Sequence, residues 1–113
     1  HPRNLTDDQM RRLAAADGVI QVTLYNGFLV KDGEATILDA MQHLEHAISV
    51  MGIDHVGLGT DFDGDGGIRG LRDSSELLQF TRQLLCRRFS EDDIRKIWGG
   101  NFLRVMRQVQ DVR

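Results

Sequence analysis

Two carboxylates stand directly after a short apolar run in Gly57-Leu58-Gly59-Thr60-Asp61-Phe62-Asp63-Gly64. A run such as Ile53 to Thr60, bounded by glycine on both sides, reads as a buried strand. An acid just past the C-terminal end of such a strand stands where α/β enzymes place their chemistry. Alternation along a strand puts His55, Gly57, Gly59 and Asp61 on one face and Val56, Leu58 and Thr60 on the other. The two glycines keep the Asp61 face small and predict room there for a ligand. A carboxylate so placed can move protons; the alternative is that Asp61 and Asp63 are turn residues that bond their own backbone.

Other groups offer competing chemistry. Asp61, Asp63, Asp65 and Gly66 copy the first half of an EF-hand calcium loop, but its twelfth position is Arg72 where a bidentate Glu is required. His43 and His46, three apart with Glu45 between them, make half a zinc site at most. The apolar stripe around Leu44 turns His46 outward with Asp39, Gln42 and Ser49, which predicts a solvated face. His55, at the end of its strand away from Asp61, reads as a hydrogen-bonded packing residue. Cys86 is the single cysteine and forms no internal disulfide; its neighbours Leu84, Leu85 and Phe89 predict a buried, inert thiol.

The elements that must position these residues alternate in type. Thr6 to Gln9 has the form of a capping box that opens a helix over Leu5 to Ala16, with Gly18 placed to end it. The strand Val19 to Leu24 follows, then a loop containing Asn26-Gly27 and Asp32-Gly33. Ile37, Met41, Leu44, Ile48 and Met51 mark one face of a helix that Gly52 closes. Strand, helix, strand in this order is a βαβ unit and predicts parallel strands. Asp73-Ser74-Ser75-Glu76 is a second capping box, ahead of a stripe of Leu77, Leu78, Thr81, Leu84 and Leu85. Ser90 caps a short helix with Ile94 and Ile97, Gly99-Gly100 breaks it, and Asn101 can cap a last helix whose buried side is Phe102, Val105, Met106, Val109 and Val112.

The 113 residues carry a net charge of -3 with acids and bases interspersed, giving neither a nucleic-acid footprint nor an acidic tail. No apolar run approaches the roughly 18 residues that would span a membrane, and no charged-then-apolar leader is present. One folded unit over residues 1–113 is expected, with a modest core. The His1-Pro2 start suggests a processed product, a trimmed chain or one of two pieces.

Ile53 to Gly64, Gly70-Leu71-Arg72-Asp73 and Gly99-Gly100-Asn101-Phe102-Leu103-Arg104-Val105 together resemble the C-terminal part of the membrane (renal-type) dipeptidases. The opening His1 to Asp8 and the segment Gly18 to Tyr25 resemble the same family in the same order. The resemblance implies a zinc-dependent (β/α)8 barrel that hydrolyses dipeptides, with this chain its last third: two strands with their helices, an α/β piece incomplete by itself. A full barrel takes about 250 residues.

Residue by residue, the resemblance implies that Asp61 sits beside a two-zinc centre and acts on the metal-bound water or the tetrahedral intermediate. It makes Arg3 the clamp on the substrate's carboxylate, with Tyr25 and Phe28 lining the pocket. His1 matches a loop position and none of the family's metal-binding histidines. The zinc ligands lie on earlier strands that this chain lacks, so the rest of the barrel, in a companion chain or an uncut precursor, is the implied partner beside the dipeptide. The alternatives are a non-catalytic segment that binds or self-associates through its exposed strand edges, and a barrel whose metal site has decayed.

Overall fold

The computed structural model describes residues 4–31, 33–60 and 66–111, with the backbone alone at Phe28. Its centre is the expected βαβ unit. β1 (Ile20–Thr23) and β2 (Val56–Gly59) pair in parallel, with Ile20 opposite Val56 and Thr23 opposite Gly59. The crossover is the helix α3 (Ile37–Met51). β2 is shorter than predicted, because Ile53–His55 forms a 3-10 turn ahead of it. Among the described residues the two strands pair only with each other, leaving an outer edge of each unpaired.

α1 (Asp7–Ala15) begins with the predicted capping box, in which the Gln9 N–H donates to Thr6 Oγ1 and the Thr6 N–H to Gln9 Oε1. Its end differs from expectation. The left-handed residue is Asp17, at φ 65°, and Gly18 follows it. The Gly18 N–H reaches Leu13 O and the Asp17 N–H reaches Ala14 O, each at 2.9 Å, a Schellman closure built without glycine at its turning point. Asp tolerates that region better than most residues. Gly52, at φ 91°, closes α3 as predicted.

One apolar cluster joins the elements. Ala40, Met41, Leu44, Ala47 and Met51 of α3 share it with Val22 and Leu24 from the β1 segment and with Val56 and Leu58 of β2. Phe80 and Leu84 of α4 (Leu77–Cys86) complete it, together with Ile94 of α5 (Glu91–Arg95) and Ile97. Phe80 meets Trp98 edge to face with centroids 5.6 Å apart. The predicted α4 stripe holds in part: Leu84 is buried and Leu77 packs against the core as expected, but Phe80 is also inside, while Leu78 and Leu85 are exposed. Cys86, expected to be buried, is exposed too, because it lies one residue beyond Leu85 on the outer face of α4.

The predicted break at Gly99-Gly100 is present: Gly99 leaves helical backbone (φ 175°, ψ -19°), which kinks the π-helical turn over Lys96–Gly100 where it leads into α6 (Asn101–Asp111). Asn101 does not cap that helix. It is 2% exposed, and its Nδ2 donates to Ile53 O at 2.6 Å and Val56 O at 2.8 Å, gripping the beginning of β2. Nor is the apolar side of α6 buried: Phe102, Met106 and Val109 are exposed, and Val112 lies outside the described residues. The helix is held instead by its polar side. Arg104 Nη1 donates to Asp17 Oδ1 at 2.7 Å, Arg104 Nη2 to Asp54 O at 3.0 Å, and Gln108 Nε2 to Asp17 Oδ2 at 2.8 Å.

Candidate active site

The C-terminal ends of β1 and β2 lie side by side, and the loops leaving them are stitched into one surface. The Leu24 N–H donates to Gly59 O at 3.2 Å, and Leu24 O accepts from the Gly67 N–H at 2.7 Å. A single residue thus holds the chain at Gly59 and at Gly67. Farther on, Arg69 N–H donates to Ala35 O and Ile37 N–H to Arg69 O, and Arg72 Nη2 pairs with Glu34 at 3.0 Å.

Of the residues singled out in the sequence, Arg3, Asp61, Asp63 and Asp65 lie outside the described residues, as does His1. Tyr25 immediately precedes α2 (Asn26–Leu29), a short helix inside what the sequence presents as a plain loop. The tyrosine ring folds back over Gly27, where an added methyl carbon would lie 3.0 Å from Tyr25 Cε2. Phe28 sits in α2, one turn along the same segment.

The glycine face of β2 is filled by the protein. A methyl carbon at Gly57 would lie 3.1 Å from Ile97 O, and one at Gly59 would lie 3.1 Å from Gln21 Oε1. The predicted room for a ligand is, along Val56–Gly59, room for the π-helical turn and for the Gln21 side chain from the paired strand.

The three described histidines make hydrogen bonds within the fold. His43 Nε2 lies 2.8 Å from Leu29 O, tying α3 to the end of α2. His46 Nε2 lies 2.7 Å from Asp7 Oδ1 on an exposed surface, in keeping with the solvated face expected of it. His55 Nδ1 is 2.8 Å from Gly18 O, the structural role expected of it. Among the described residues no three His, Cys, Asp or Glu side chains come together as metal ligands, so these residues do not by themselves fit a two-metal centre. The EF-hand reading fails on its frame: strand β2, not a helix, leads toward the acidic loop, and Arg72 at the twelfth position pairs with Glu34.

Apart from Asp73, held below the usual range by the Ser75 hydroxyl and N–H, electrostatic perturbation gathers at the opposite end of the sheet. The Gln108 hydrogen bond, reinforced by Arg104, holds the Asp17 carboxyl below the usual range. Asp54 is lowered by its bond to Lys96 Nζ, 2.8 Å away, and Lys96 is raised in turn. These are ties between α6, the π-helical turn and the bottom loops, remote from the strand ends where Asp61 follows.

Sequence reasoning missed two site-forming features. Asn26 looked like half of a turn dipeptide, yet its side chain spans the whole loop after β1. Leu24 looked like a strand end, yet it is the hub of both loops; only the pairing of β1 with β2 makes it one.

Comparison with known proteins agrees with the layout. The family model for membrane dipeptidase (peptidase family M19) matches residues 1–113. The dipeptidase aclJ of Aspergillus oryzae is 38% identical over 99% of this chain and 27% of its own length, and human dipeptidase 3 is 35% identical over 97% and 23%. A Rhodobacter sphaeroides metallopeptidase, solved with a phosphinate mimic of the dipeptide L-Ala-D-Ala, superposes with a TM-score of 0.82 at 30% identity, covering 88% of this chain and 30% of that one. The probable dipeptidase PvdM of Pseudomonas aeruginosa gives 0.85 at 26% identity, covering 90% of this chain and 40% of that one. The chain spans about a quarter of the length of the curated relatives it matches. With the whole of its length matched by one family model, the chain belongs to the membrane dipeptidase family, peptidase family M19.

Proposed function

We propose that residues 1–113 form one folded segment, the C-terminal part of a zinc-dependent (β/α)8 dipeptidase, which hydrolyses dipeptides once the preceding strands are present. The observation that carries this reading is the family match over residues 1–113, supported by the parallel pairing of β2, after whose last residue, Gly59, Asp61 follows two positions on in the sequence. The unpaired outer edge of β1 supports it. A groove of about 330 Å³ runs along that strand between α1 and α3, lined by Leu5, Met10, Ile20, Val22 and Leu29, and suits a neighbouring strand and helix of the same barrel. The exposed apolar side of α6 is a further face for the remainder of the protein to cover.

In this reading Asp61 takes the proton of the attacking water and returns it to the leaving amine. Arg3 meets the substrate's free carboxylate with two parallel charged hydrogen bonds. Tyr25 and Phe28 line the side of the pocket beneath the β1 loop. Two zinc ions would be held by residues on segments outside these 113 and would, when bound, polarise the scissile carbonyl.

The test is dipeptide hydrolysis by the intact protein that carries this segment, with metal analysis. Activity lost to a chelator and restored by zinc, with about two zinc ions per assembly, is the expected result. A metal-free, inactive particle would favour the rival reading of a non-catalytic binding segment, which associates with partners or with itself through the same free edge.

A further inference from the structure

The loop between β1 and α3 is closed by one side chain. Asn26 Nδ2 donates to Gly33 O at 3.0 Å, and Asn26 Oδ1 accepts from the Ala35 N–H. An amide is the group suited to this, offering a donor and an acceptor to backbone seven and nine residues away. Asn26 opens α2 but caps nothing with its side chain, because both ends of the amide are committed across the loop.

The bridge reaches farther than its own loop. Ala35, fully buried, carries the carbonyl that accepts from Arg69 N–H, and the same return strand reaches Leu24 through Gly67. Asn26 therefore links the backbone beside Tyr25 to the point where the loop returning from residues 61–65 docks. Gly33, at φ +86°, has open space where a side chain would begin, and its carbonyl is met by the Asn26 amide.

We propose that Asn26 is a positioning residue for substrate: its bidentate bridge holds the Tyr25 to Phe28 segment in the conformation that receives a dipeptide. The substrate half of this role rests on the dipeptidase reading above; the loop closure does not. A loop held in its binding conformation spares the ligand the cost of ordering it, so the loss appears in KM before kcat.

The experiment compares wild type, Asn26→Asp and Asn26→Ala in the intact protein, using KM and kcat for a dipeptide together with amide exchange. The aspartate keeps the acceptor for Ala35 but turns an oxygen toward Gly33 O, whereas alanine loses both arms. KM is expected to rise about fivefold or more in each variant, the value of roughly one hydrogen bond, with kcat within about threefold of wild type. Exchange over residues 27–35 should accelerate by about tenfold or more, while α3 is unchanged. A fall in kcat at constant KM would mark loss of folded enzyme and overturn the substrate role. Unchanged exchange over 27–35 would overturn the closure itself. A wild type inactive on dipeptides would refute the dipeptidase reading and with it the substrate role, and exchange would still decide the closure.

Discussion

The carbonyl of Leu24 accepts a 2.7 Å hydrogen bond from the Gly67 N–H, so the chain that leaves β2 at Thr60 comes back to the strand beside it. Gly67 makes the return at φ +124°, and a methyl carbon there would lie 3.1 Å from Arg72 O. Both the backbone conformation and the space favour glycine. Gly67→Ala is predicted to cost about 1 to 3 kcal/mol and to speed amide exchange at Gly67 itself; exchange at the wild-type rate would show that the return loop adapts.

Gly57 answers to a different constraint. Its neighbour is the Ile97 carbonyl, a backbone atom that cannot swing aside. Gly57→Ala should push the π-helical turn off β2 at a cost of about 1 to 3 kcal/mol, measured as a lowered denaturation midpoint with α1 helicity retained.

Asn101 serves two carbonyls at once. Asn101→Ala leaves Ile53 O and Val56 O without that donor in a buried place and is expected to cost about 2 to 4 kcal/mol. Asn101→Asp should be worse at neutral pH, since it sets a carboxylate against two carbonyl oxygens without a donor. Thermal melts of both variants check the order, and equal stability of alanine and wild type would remove the clamp from the account.

The bottom ties predict how stability varies with pH. Asp17 and Asp54 have folded pKa values below their unfolded ones, so their contribution is complete above the ordinary carboxylate range and is lost as pH falls through the depressed values. Lys96 is raised, so its contribution is present below its ordinary 10.5 and is lost as pH rises through the higher folded value. Denaturation midpoints should therefore fall below about pH 4, and less steeply in Asp17→Asn, where one of these carboxylates no longer titrates.

The proposed chemistry makes paired demands. Asp61→Asn should lower kcat by about 10² to 10⁴, and near-normal turnover would end its proton-handling role. Arg3→Ala should raise KM for dipeptides with a free carboxylate by roughly ten- to a hundredfold and barely affect amidated substrates. Equal loss on both substrates would count against the clamp.

Much of the frame was legible because it rests on periodicity and local chemistry. The Thr6 and Ser90 caps, the α3 face from Met41 to Met51, the Gly52 stop and the parallel pairing all follow from short-range pattern. What failed depended on partners distant in sequence. Leu78 and Leu85 fit an apolar stripe, but Phe80 takes the inward position because Trp98 stands beside it. Asn101 has the form of a cap and acts on β2, some 45 residues upstream. The α6 stripe is apolar in sequence and exposed in the fold, since the described residues offer it no surface to cover. At the candidate site, the strand ends were readable; the short helix after Tyr25, the Asn26 bridge and the glycine packing were not, because they depend on residues distant in sequence.

The grip of Arg104 on Asp17 joins residues 87 apart in sequence. At roughly 5 to 20 residues per second of synthesis, the first helix-to-strand turn waits on the order of 4 to 17 s before its clasp has been made. Through that interval α1 and β1, the first elements of this segment to leave the ribosome, lack that clasp. The last helix to be translated is therefore the one that seals the first turn of this segment.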